Sequence, residues 1–226
     1  MARARTLTLI ADEAYRLADC VGMTDRHPRA DVVRWCNQGL TELYDALVAA
    51  RGLDWYRTTS TIALVDGTNS YSLPATFYQL LGVRMEGGGA LQPFSQADAA
   101  ELRDGYVTSG SGPRYYQLGG TSIIFLPTPG TGTITLDYVP AFTDLADDSV
   151  ATFDGVNGWE DYASLWAAKR MALKDADETR LAMLSADLTA MGMRIRALAP
   201  RRDAGTPRQV KDVRGQAAHA RWRWWR

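Results

Sequence analysis

Leu181, Leu184, Leu188, Met191, Ile195 and Leu198 follow one another by alternating steps of three and four. At helical pitch that rhythm lines six apolar side chains along one stripe. Such a stripe persists only when another element covers it, so the segment predicts a bundle helix. Pro200 ends the helix, because proline has no amide hydrogen and restricts the residue before it. From Arg201 to Arg226 the chain has almost nothing to bury until Trp222, Trp224 and Trp225. A packed helix thus hands over to a basic arm with a tryptophan tip, an arrangement suited to gripping a neighbour.

A matching seam lies near the other end. Pro28 suits a first helical turn, and Val33, Cys36, Leu40, Leu43, Leu47 and Ala50 repeat the three-four rhythm as far as Arg51 and the stop at Gly52. Two such seams predict packing between helices far apart in sequence. Thr6 to Val21 reads as a further helix, capped by Thr8, with Ile10, Ala14, Leu17 and Val21 as its stripe and Gly22 as its stop. After an acidic loop from Pro140 to Gly158, Tyr162, Leu165, Trp166, Ala172 and Leu173 predict a helix face. Asp154 or Asn157 is its expected cap, and a break is expected at Asp175 to Asp177.

The middle of the chain changes character. Trp55 to Val65 is rich in Thr, Ile and aromatics and favours a strand, with Ile62 and Leu64 on one face. Asp66-Gly67-Thr68-Asn69 is a turn signal. Tyr71 to Pro74 and Leu80 to Glu86 read as extended, the latter closed by Gly87-Gly88-Gly89. Ser95 is placed to cap a short helix through Asp104. Arg114 to Leu118 and Thr121 to Leu126 predict a hairpin around Gly119-Gly120. In Thr133 to Val139 the residues Ile134, Leu136 and Tyr138 face one way and Thr133, Thr135 and Asp137 face a wetter side. The expected fold is α+β: a four-helix bundle from residues 1–54 and 155–200, an inserted antiparallel β-rich subdomain over 55–154, and an extended arm over 201–226.

Charge separates the arm from the body. Net charge is −1, yet residues 201–226 hold eight basic and two acidic side chains, leaving an acidic body. That asymmetry fits a binding arm for an acidic groove or nucleic acid, or a solubilising tail. No apolar run reaches the ~18 residues of a membrane span, and Thr6 to Ile10 is too short for a signal-peptide core, so an intracellular product is expected. Cys20 and Cys36, placed on different predicted helices, read as buried free thiols. His27 and His219 are far apart and predict no zinc cluster.

The usual catalytic signatures are missing. There is no nucleophile elbow, phosphate loop or His-Glu-x-x-His, and the glycine runs at Gly87 to Gly89 and Gly110 to Gly112 lack a dinucleotide-binding context. Asp147 and Asp148 read as loop-solvating. Glu160 and Asp161 read as first-turn charges favoured by the helix dipole. No cofactor is expected. Trp35, Trp55, Trp159 and Trp166 lie in or beside apolar stripes, and core packing is their default. Trp222, Trp224 and Trp225, alternating with Arg221, Arg223 and Arg226, have no stripe to join. Bases, a membrane interface or pockets on a partner would each accept them, and the partner pocket is favoured.

Trp55-Tyr56-Arg57 leading to Thr61-Ile62-Ala63-Leu64, then Tyr71-Ser72-Leu73-Pro74, Phe77 and Leu80-Leu81-Gly82-Val83, resembles head-to-tail adaptors of tailed bacteriophages. So does Ile123 to Pro127 followed by Thr133 to Tyr138 and the return to helices at Trp159. The resemblance runs from Thr6 to Leu198 and is closest to adaptors of the tail-tubular-protein-A type. It implies a non-enzymatic virion protein of the head-tail neck, made in the host cytoplasm. It further implies a ring of twelve subunits below the portal, around a channel that passes double-stranded DNA without sequence-specific binding, with no membrane partner. By the same resemblance the arm from Gly205 to Arg226 reaches between portal subunits, with Arg208, Lys211, Arg214, Arg221, Trp222, Arg223, Trp224, Trp225 and Arg226 as portal contacts. Gly87, Gly88, Gly89, Gly110 and Gly112 lie in loops facing the tail or nozzle protein. Two other expectations stand beside this one. A virion-associated peptidoglycan hydrolase would need a carboxylate of raised pKa in a cleft. A nucleic-acid-binding protein using the arm would bind with steep salt dependence.

Overall fold

The structure is a computed structural model and describes residues 4–50, 56–87, 89–94, 112–147, 150–155 and 158–198. The arm, Trp55, the expected helix after Ser95, Gly88, Gly110, Asp148 and Asn157 lie outside these residues. Four helices are described: α1 (Leu7–Leu17), α2 (Arg29–Ala50), α3 (Asp161–Asp175) and α4 (Glu178–Leu198). Nine strands accompany them: β1 (Arg5–Thr6), β2 (Thr58–Leu64), β3 (Ser70–Ser72), β4 (Phe77–Met85), β5 (Gln92–Pro93), β6 (Tyr115–Gly119), β7 (Ser122–Leu126), β8 (Gly132–Pro140) and β9 (Thr152–Phe153). The class is α+β, as expected.

Most of each seam packs into the core, with Val33 and Ala50 partly buried. Cys36, Leu40, Leu43 and Leu47 of α2 are buried, as are Leu184, Leu188 and Ile195 of α4, with Leu181 and Met191 packed against the same core. α3 touches α1, α2 and α4, so all four helices share one interior.

Two helix details differ from expectation. The cap of α1 is Thr6, whose hydroxyl accepts the Leu9 N–H at 3.3 Å, and not Thr8. The helix also stops at Leu17, because Asp19 turns left-handed (φ 55°) and the Cys20 N–H returns to the Tyr15 carbonyl at 2.9 Å. Leu17 and Val21 therefore leave the stripe and are exposed. In α3 the buried face is Ala163, Ser164, Leu165, Ala167, Ala168, Met171 and Ala172, whereas Leu173 is 54% exposed. That small-residue face exists because α2 comes very near: a Cβ added to Gly39 would stand 2.9 Å from the Ala163 Cα and from the Trp166 Cβ. The expected break is real. Ala176 is left-handed (φ 55°), and the Asp177 carboxylate accepts the Arg180 N–H at 3.0 Å.

The strands form two larger sheets, ordered β2-β8-β4 and β3-β7-β6-β5. All their pairings are antiparallel except β5 with β6, which is parallel. The β6-β7 hairpin turns at Gly120 (φ 59°). Leu64, Val83, Ile123, Phe125, Ile134, Leu136 and Tyr138, drawn from both sheets, share a second core. β8 is the seam between cores, since Val139 points into the helical interior. The acidic loop is not wholly irregular: β9 pairs with β1, Phe153 opposite Arg5. Near the two ends of the β-rich middle, the Tyr56 hydroxyl donates to the Asp154 carbonyl at 3.0 Å and its ring lies 6.4 Å from that of Phe153.

Candidate functional site

Two of the expected glycine loops converge. Gly87 (φ 71°) turns the chain out of β4. The chain then folds back, with Leu91 N–H donating to the Val83 carbonyl at 2.9 Å and Gln92 N–H to the Arg114 carbonyl at 3.0 Å. Gly89 and Gly112 thereby flank one cleft of about 470 Å³, walled by Met85, Leu91, Arg114 and Tyr115. Gly112 lies against the Met85 thioether so closely that a Cβ there would overlap it. Gly88 and Gly110 fall outside the described residues. The sequence reading missed the wall residues, and the one available signal was Met85, an apolar strand end beside a glycine run. Ala90, Gln92 and Pro113 complete the lining of the cleft.

Asp137 is a correction to the expected wet face of β8. It is buried and takes Arg84 through Nε at 2.9 Å and Nη2 at 3.2 Å, with Arg57 Nη2 at 3.1 Å. Burial pushes its carboxyl up, but the hydrogen bonds and charges of the two arginines prevail and hold it below the usual carboxylate range.

Asp147 likewise does more than solvate its loop. Arg29 grips it with Nε at 2.8 Å and Nη2 at 2.9 Å, while Nη1 reaches Asp12 at 2.5 Å. Hydrogen bonding from Arg29 keeps the Asp147 carboxyl low, and its own pairing with Asp147 raises the guanidinium pKa. Asn37 completes the fastening, exchanging two 3.0 Å bonds with the Leu145 backbone. The long loop is thus tied to α1 and α2. Glu160 and Asp161 stand at the start of α3, as expected; Glu160, at the N-cap position, is buried and accepts the Gly155 N–H at 2.9 Å. Asp161 pairs with Arg5.

Cys20 and Cys36 are buried free thiols, as expected, and a third cluster brings one of them together with a histidine and a carboxylate. Cys20 follows α1 rather than lying on it, and with His27 it meets Asp175 at the end of α3. His27 Nε2 is 3.0 Å from Asp175 Oδ2, and Cys20 Sγ is 3.7 Å from the same oxygen. Burial pushes the Asp175 carboxyl up, and His27 with Arg26 more than reverses it.

The three carboxylates with displaced pKa among the described residues are all held low, the opposite of a general acid's need. No described helix is long and apolar enough to cross a membrane. Arg208, Lys211, Arg214 and Arg221 to Arg226 lie outside the described residues. A profile of the SU10 adaptor protein family matches residues 2–211, which takes in every described element and stops short of the tryptophan tip. No curated protein matches the chain.

Proposed function

The chain belongs to the SU10 adaptor protein family, and from that premise we propose that it is the ring-forming connector between portal and tail. The family is one of structural phage adaptors, and membership makes this chain a component of the virion. In the proposed assembly twelve copies surround the DNA channel, as in connectors of the tail-tubular-protein-A type. The four helices form the bundle that sets the radius of the ring, and the sheets form a subdomain projecting toward the tail or nozzle. The arm from Gly205 to Arg226 extends to the portal, where Arg and Trp are favoured anchors in partner pockets. The cleft between Gly89 and Gly112 receives a loop of the tail protein.

The family match over residues 2–211 carries this reading. The acidic body agrees with it, because tight phosphate contacts would slow DNA passing through the channel. The low carboxylates give no support to a hydrolase. The test is to mix the purified chain with portal rings and weigh the complex by native mass spectrometry. Twelve copies per portal ring is the expected result, and absence of any complex refutes the proposal.

A further inference from the structure

The segment between α1 and α2 is an unusual loop. From Asp19 to Arg26 its residues are exposed, Val21 and Met23 among them, with one exception: Cys20. At its far end His27 is fully buried. A loop of this length with apolar residues available would ordinarily anchor itself through them. Here the inward groups beyond Ala18 are a thiol and an imidazole, and both are directed at one carboxylate, Asp175, across the bend between α3 and α4.

From this juxtaposition we propose that Cys20, His27 and Asp175 form a structural zinc site that fastens the α1–α2 loop to the α3–α4 bend. The three ligand atoms lie within 4.8 Å of one another. Zinc bonds of about 2.0–2.1 Å to nitrogen, 2.3 Å to sulfur and 2.0–2.2 Å to oxygen place tetrahedral N/O and S/O pairs about 3.4 and 3.6 Å apart. The observed separations of the two pairs that share Asp175, 3.0 and 3.7 Å, stand within a few tenths of an ångström of these values, while the Cys20–His27 pair, within 4.8 Å, closes toward about 3.6 Å as the ion binds. The ligand set is right in kind: thiolate, imidazole and carboxylate together select zinc over calcium or magnesium.

Other contacts point the same way. The Tyr15 hydroxyl donates to the His27 carbonyl at 2.5 Å, and His27 N–H donates to the Met23 carbonyl at 2.9 Å, so the backbone behind the ring is fixed. Among the described residues the His27 Nδ1 has no hydrogen-bond partner, which leaves the Asp175 side as the ring's one polar engagement. Arg26 Nε forms an ion pair with the other carboxylate oxygen, Oδ1, at 2.5 Å, outside hydrogen-bond geometry, and leaves Oδ2 to face Cys20 and His27. Asp175, 19% exposed at its side chain against 0% for His27, is the edge from which a water completes the tetrahedron, so the site has three protein ligands and one solvent position. Binding displaces the thiol proton, so affinity falls as the pH is lowered.

The test uses the full chain without a polyhistidine tag. Purified protein is dialysed against zinc alone and its metal content measured; a parallel sample receives cobalt(II) and is read for thiolate-to-cobalt absorption in the near ultraviolet. One tightly held zinc per chain, a thiolate–cobalt band, and a melting temperature lowered by several degrees on chelation are expected. Cys20→Ser and Asp175→Asn lose the metal, while Cys36→Ser and His219→Ala keep it. Wild-type protein with no zinc and no cobalt band overturns the proposal, as does zinc retained in full by Cys20→Ser. The wild-type arms stand even if a variant fails to fold.

Discussion

Gly39 of α2 and Ala163 of α3 meet backbone to backbone, with a Cβ on Gly39 falling 2.9 Å from the Ala163 Cα. Backbone cannot step aside as a side-chain tip can, so Gly39→Ala must part the two helices. The expected loss is about 1–3 kcal/mol, within the range for overpacked cores. Urea denaturation of the pair checks it. A larger residue, Gly39→Leu, should lose more, and equal stability of all three would show that the crossing is loose.

Asp137, Asp147 and Asp175 all have folded-state pKa values held below the ordinary carboxylate value. The stability each adds is complete above about pH 3.9, the unfolded value, and drains away as pH falls through the folded one. Asp137→Asn should therefore be less stable than wild type at pH 7, by about 1–3 kcal/mol. The lower part of that range is expected, because Arg57 and Arg84 are half exposed and can turn to water. The gap between variant and wild type should close as the pH is taken below 4, which melts at stepped pH will measure.

On the proposed role of the arm, its removal should separate folding from attachment. A chain ending at Ala204 keeps both described cores, so its circular dichroism and melting temperature should match those of the whole chain. Its binding to portal rings, followed by sedimentation, should be lost. Trp222→Ala combined with Trp224→Ala and Trp225→Ala should weaken binding nearly as much, and full-strength binding by the truncated chain would remove the arm from the interface.

Burial pushes the Cys36 thiol up to about 12. Little thiolate exists there at neutral pH, and the thiolate is the reactive form. In Cys20→Ser, where Cys36 is the remaining cysteine, Ellman's reagent should react negligibly at pH 8 until denaturant is added. Prompt reaction of the native variant would mean that the helical core opens locally.

The helical seams were legible because their rhythm is long and their apolar members large. Leu40, Leu43 and Leu47 could hardly be misplaced, and neither could Leu184, Leu188 and Ile195. The face of α3 was misjudged because bulk was weighed over fit. Leu173 is large and exposed, whereas Ala163 and Ala167 are small and buried, chosen by the nearness of α2. Such a choice is written in the partner's Gly39 rather than in α3. The end of α1 was missed for a local reason, since nothing apolar marks the left-handed turn at Asp19. Partners at long separation were beyond any periodic pattern: Arg29 with Asp147, or His27 with Asp175, are joined by topology alone. The meeting of the glycine loops at Gly89 and Gly112 is of the same kind, although each loop was recognised singly.

The bond from the Tyr56 hydroxyl to the Asp154 carbonyl has an architectural corollary. Residues 56 and 154, near the two ends of the middle of the chain, stand one side chain apart. A replacement cassette whose termini lie equally close would be grafted without moving any helix. The sheets and the scaffold that α1 to α4 provide are in that sense separable modules of one chain.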